Sequence, residues 1–205
     1  MNSKEQLEEK LNTYSHGLGI ILAMVGGILV LKTGAHNLKF EITIYSISLV
    51  LLFSASTIYH AATNPILKKK LRILDHISIY YLIAGTYTPV CLAILKDSKG
   101  ILLLCLVWGI AFFGTLLKLF FTGKFETFSL VLYGIMGWLV VIDYSYLITH
   151  ISSTGLFYLG LGGFFYTVGI LFYAVKKIPF NHFIWHLFVL GGAISHWWCI
   201  YSIII

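Results

Sequence analysis

Runs of about 20 nearly uninterrupted apolar residues recur along the whole chain, each long enough to cross a bilayer as a helix. They fall at about residues 14–31, 42–63, 73–95, 101–121, 128–148, 155–175 and 182–204. Short connections between them hold most of the charge. The runs are continuous where the strands of a membrane barrel would alternate, so helices are predicted. The expected fold is all-α: a polytopic membrane protein, a seven-transmembrane helix bundle forming one membrane domain over residues 1–205. Pro89, inside the third run, predicts a kink, whereas Pro65 and Pro179 fall in connections. Gly134, Gly137, Gly160, Gly162 and Gly163 are expected to let neighbouring helices approach closely.

Composition sharpens this reading. Of the 205 residues, 59% are hydrophobic and 11% charged, against about 25% charged in a soluble domain. The net charge of +6 therefore speaks first of topology and anionic headgroups. The basic residues are mostly lysines in short connections, which excludes an arginine-rich nucleic-acid stripe. Ten of the 14 Lys and Arg fall on one side: Lys4, Lys10, Lys68, Lys69, Lys70, Arg72, Lys118, Lys124, Lys176 and Lys177. Lys32, Lys39, Lys96 and Lys99 fall on the other. The positive-inside rule then places the N-terminus in the cytoplasm and the C-terminus outside. Cys91, Cys105 and Cys199 lie within apolar runs without paired spacing, so neither a disulfide framework nor a cysteine metal site is expected. The opening "MNSKEQLEEK" lacks the basic region of a secretory signal, so the first span is expected to stay in the mature protein.

With this topology, polar residues from four separate spans share one depth. His60 falls in the last turn of the second span, and Asp75 and His76 in the first turn of the third. His182 and His186 open the seventh, and Ser15 and His16 open the first. His182 and His186 are four apart and share a helix face, as do Ser56 and His60. Three neutral imidazoles from His60, His182 and His186 would form an open metal site of the catalytic zinc type. Copper, iron and nickel also accept imidazole, and zinc is the default because it needs no redox partner. Asp75 in headgroup water at a helix start, and Ser56 bonded to its own backbone, are the unremarkable alternatives. His196 lies ten residues beyond His186, about 15 Å along the helix, too far to reach the same ion. Asp143 is expected at the outer interface, and Glu9, Asn12 and His16 share a face that either closes the site or holds the first span.

Taken in order, these residues resemble the hemolysin III family of the progestin and adipoQ receptor superfamily. Glu9, Asn12, Ser15, His16 and Gly19 match its opening E-x-x-N-x-x-[ST]-H-x-x-G pattern. Ser56, His60 and Asp75 match its S-x-x-x-H…D element, and His182, His186 and His196 its H-x-x-x-H-x9-H element. The resemblance covers nearly the whole chain, and the small size points to a bacterial member in the plasma membrane. It implies a zinc ion near the cytoplasmic side held by His60, His182 and His186, with Ser56 and Asp75 beside it. Zinc-dependent hydrolysis of lipid amides or esters is the implied activity, with membrane lipids as partners and substrate. Cytolytic pore formation, or a signalling or membrane-homeostasis role with structural zinc, are the rival implications.

Overall fold

The computed structural model describes residues 3–33 and 36–204; residues 1–2, 34–35 and 205 of the expected domain lie outside them. Among the described residues, seven helical segments are long and apolar enough to cross a membrane, as expected of a multi-pass integral membrane protein. The first is α1 (Ser3–Lys32). A short 3-10 turn leads to α2 (Lys39–Ala61). The third begins as α3 (Pro65–Pro89), with Pro65 in its first turn and Asn64 capping it. The Asn64 Oδ1 accepts from the backbone N–H groups of Ile66 and Leu67. Next come α4 (Gly100–Phe121), α5 (Glu126–Trp138), α6 (Tyr144–His150), α7 (Ser153–Ala174) and α8 (Asn181–Ile204).

Two spans are irregular. Beyond Pro89 the third continues as a π-helical turn, Val90–Ile94, closed by a Leu95 N–H bond to the Val90 carbonyl of 3.2 Å. The proline thus marks the point where the α ladder gives way. The fifth span is compound, with α5 and α6 joined by a 3-10 segment, Leu139–Asp143. Tyr87 mends this break: its hydroxyl donates to the Gly137 carbonyl (3.1 Å) and accepts from the Val140 N–H (2.8 Å). Backbone groups freed inside a membrane require such partners. Asp143, expected at the outer interface, is the last residue of this segment and is buried against the connection before α4. It accepts from the Ser98 hydroxyl (3.0 Å) and the Lys99 N–H (2.9 Å), tying the connection before α4 to the fifth span.

Helix α2 packs between α1 and α3; α8 packs against both α7 and α1, and α3 against α4. Glycines mediate the tightest approaches, but mostly not the ones expected. A Cβ on Gly134, Gly137, Gly160 or Gly163 would meet nothing within 4 Å. Gly162 does admit a close neighbour, the His196 ring. The Phe53 ring of α2 crosses α1 at Gly19, where a Cβ would lie 2.5 Å from it.

Candidate metal centre

Four helix ends converge at one end of the bundle: the start of α1, the end of α2, the start of α3 and the start of α8. The helices begin earlier than hydropathy suggests, because the polar first turns of α1 and α3 are held by contacts made here. Glu9 on α1 bridges His60 and Lys68, with its Oε2 2.9 Å from His60 Nδ1 and 2.8 Å from Lys68 Nζ. Its neighbour Glu8 caps α8, with Oε1 accepting from the backbone N–H groups of His182 (3.1 Å) and Phe183 (3.4 Å). A carboxylate at a helix N-terminus satisfies exposed donors and meets a favourable dipole.

The three expected histidines meet. The ring centroids of His60 and His186 are 4.8 Å apart, those of His60 and His182 5.1 Å, and those of His182 and His186 4.9 Å. One nitrogen from each lies within 4.8 Å of the other two. His60 and His186 are buried and His182 is half-buried. His60 shows why this set suits a cation. Its Nδ1 faces the Glu9 carboxylate, which fixes the proton on Nδ1 and leaves Nε2 with its lone pair. That Nε2 is buried and has no hydrogen-bond partner among the described residues. A buried acceptor left so is costly unless something else binds it. Carboxylate–imidazole pairs of this kind stand behind metal-ligating histidines. Asn12 Nδ2 lies 3.5 Å from the same Nδ1, which as a donor to Glu9 has no lone pair to offer it, so this is a contact and not a second hydrogen bond.

A second layer comes from α1. Ser15 Oγ lies 3.4 Å from His186 Nδ1, and the His16 ring stacks on His186 with centroids 3.7 Å apart. The polar face of Glu9, Asn12 and His16 thus packs directly on the histidine cluster.

Asp75 and Ser56 line the same cavity as His182 and His186. Asp75 is not in the first turn of its helix, as expected, but nearly three turns into α3, which starts at Pro65. His76, expected at the same depth, also lines this cavity, but its ring nitrogens are engaged elsewhere. Its Nδ1 bonds the Arg72 carbonyl (2.6 Å), and its Nε2 is 3.5 Å from Glu126, which also pairs with Lys118 (3.1 Å) and Arg72 (3.4 Å). Nothing in the local pattern of Lys118 and Glu126 announces this cluster, since each sits at the edge of a different span. The cavity measures about 390 Å³, and most of its walls are apolar, among them Leu82, Ile83, Trp185 and Val189. It reaches His196, whose Nε2 donates to the Leu159 carbonyl at 3.3 Å, well away from the triad.

Residues 4–197 match the model of the family described as "Haemolysin-III related". The chain belongs to this family. Within it, the chain is 41% identical to the "Hemolysin-3 homolog" of Bacillus subtilis (strain 168), over 94% of this chain and 92% of that one. It is 40% identical to "Hemolysin-3" of Bacillus cereus, over 94% and 90%. Similarity extends to the human "Monocyte to macrophage differentiation factor", at 30% identity over 95% of this chain and 84% of the other. The three-histidine cluster and the apolar cavity are therefore features of a haemolysin-III related membrane protein.

Proposed function

We propose that this protein is a zinc-dependent membrane hydrolase of lipid amides or esters, with His60, His182 and His186 holding the ion. The observation that carries this reading is the opening of a buried imidazole cluster onto a largely apolar cavity that also presents a carboxyl and a hydroxyl group. Zinc held by three histidines supplies Lewis acidity and activates water at neutral pH. Asp75 accepts the proton at its carboxylate and returns it to the leaving group. Ser56 orients that carboxylate and supplies a hydroxyl donor for charge developing on the substrate carbonyl oxygen. The acyl chain lies along the apolar wall and enters sideways from the bilayer. With the N-terminus cytoplasmic, the site opens at the inner leaflet of the plasma membrane.

The experiment is direct. Purified protein with zinc should cleave a long-chain N-acyl amide or acyl ester, and His186→Ala should abolish cleavage. Equal rates for the two proteins would end the enzyme reading. The names of the Bacillus relatives favour a second reading, a cytolysin. In that case dye release from vesicles would rise steeply with protein concentration and survive His186→Ala.

A further inference from the structure

Helix α1 touches all three histidines, each in a different way. Glu9 aims the His60 ring, and Ser15 and His16 lie against the His186 ring. His182 differs from both. It is the second residue of α8, and among the described residues its ring has no hydrogen bond, only ring contacts with His60, His186 and Tyr173. Its aim therefore depends on where its backbone is fixed. The first turn of a helix is the part that frays, because its N–H groups lack partners within the helix. At α8 these groups are all accounted for. The Asn181 N–H reaches the Ile178 carbonyl (3.2 Å), and the Ile184 N–H reaches the Phe180 carbonyl (2.9 Å). Those of His182 and Phe183 go to Glu8. Among the described residues, no side chain near the helix start takes that role. Phe180, just before the helix, has no acceptor and a φ of 57°, and the Asn181 Nδ2 donates to the Phe172 carbonyl (3.1 Å). Lys4, about one turn before Glu8 on α1, has its Nζ 5.4 Å from the centre of the Phe180 ring. This cation–π contact is a second tie between α1 and the entry to α8.

We infer that Glu8 is a positioning residue of the metal centre, acting through the backbone of His182. Neighbouring residues on a helix point about 100° apart. Glu8 and Glu9 thus reach different partners, α8 and α2, both of which pack on α1. Together they set how far His182 stands from His60. Metal ligands hold an ion tightly only when a supporting layer keeps them in place. A ligand on an uncapped first turn would have to be ordered by the ion itself, and Glu8 removes that penalty in advance. The inference rests on the metal centre of the proposed hydrolase and not on hydrolysis.

The test uses full-length protein in nanodiscs. Zinc affinity is read by competition with a chromophoric chelator, and ligand geometry by the visible spectrum of the cobalt-substituted protein. Glu8→Ala should weaken zinc about fivefold, the worth of one helix cap, and alter the cobalt bands. Glu8→Gln keeps the acceptor and should stay within about twofold of wild type. Asp143→Asn loosens the opposite end of the bundle, so it should lower the melting temperature and leave both metal readouts unchanged. Equal affinity and spectrum for wild type and Glu8→Ala would overturn the inference. So would a loss in Glu8→Gln as large as in Glu8→Ala, the mark of a long-range charge effect. A matching loss in Asp143→Asn would overturn it too, as the mark of general loosening. If Glu8→Ala does not fold, hydrogen exchange of the metal-free wild type decides. The first turn of α8 should exchange as slowly as its second, and exchange at the rate of an open chain would sink the inference. Wild type that binds neither zinc nor cobalt would overturn this inference and the hydrolase reading together. Zinc binding that responds to Glu8 as expected, with no lipid cleaved, would support the inference while ending the hydrolase reading.

Discussion

His60 is held from behind. Glu9 fixes its Nδ1 proton at 2.9 Å while Lys68 grips the same carboxylate oxygen at 2.8 Å. The ring is therefore aimed before any ion arrives. Glu9→Gln keeps an acceptor but loses the charge that makes the imidazole a better ligand. Zinc affinity, measured by competition with a chromophoric chelator, should fall about 10- to 100-fold. The visible spectrum of the cobalt-substituted protein should change with it. Unchanged affinity would show that Glu9 merely pins α1 to α2. At this scale much was legible in the chain. The four-residue spacing of His182 and His186, with His60 level with them, identifies the cluster. Phase also put Glu9, Asn12 and His16 on one face. What that face meets was not legible, because a sequence fixes depth and phase on each helix but not which helix stands beside which. His76 makes the same point: it shares the depth of Asp75, yet it points to Glu126.

The helices themselves were legible as apolar runs, but their ends and faults were not. The first turns of α1 and α3 are polar and read as tail and connection. They are helical because Glu8, Glu9, Lys68 and Arg72 find partners across the bundle. The break in the fifth span passes through Leu139–Asp143, a stretch nearly as apolar as its flanks, so hydropathy runs straight across it. Glycine content misled for a related reason. It cannot tell a residue beside open space, such as Gly134, from one under a ring, such as Gly162. Tyr87 carries the compound span, since its hydroxyl serves both the Gly137 carbonyl and the Val140 N–H. Tyr87→Phe removes one oxygen and leaves two backbone groups without that partner, a loss of about 1–3 kcal/mol. The melting temperature of the purified protein should drop while zinc stoichiometry holds. A melting temperature equal to wild type would mean that water or a shifted α5 replaces the hydroxyl.

Across the whole molecule, the basic residues and the site share one end. Lys68, Arg72, Lys118 and Lys176 all surround the histidine end of the bundle, and three of them are engaged by Glu9 or Glu126. Under the positive-inside rule, the charge that would set topology is also the charge around this end of the cavity. On the proposed function, orientation decides which leaflet would supply a lipid substrate. The positive-inside rule predicts that the end carrying ten of the 14 Lys and Arg residues stays in the cytoplasm. Alkaline phosphatase fused after the C-terminus should therefore be active, and green fluorescent protein at the same position dark. The same pair fused before α1 should behave in the opposite way. Reversal of both patterns would turn the cavity mouth to the outer leaflet. On the proposed function, a lipid of the inner leaflet would then have to cross the bilayer before it could reach His182 and His186.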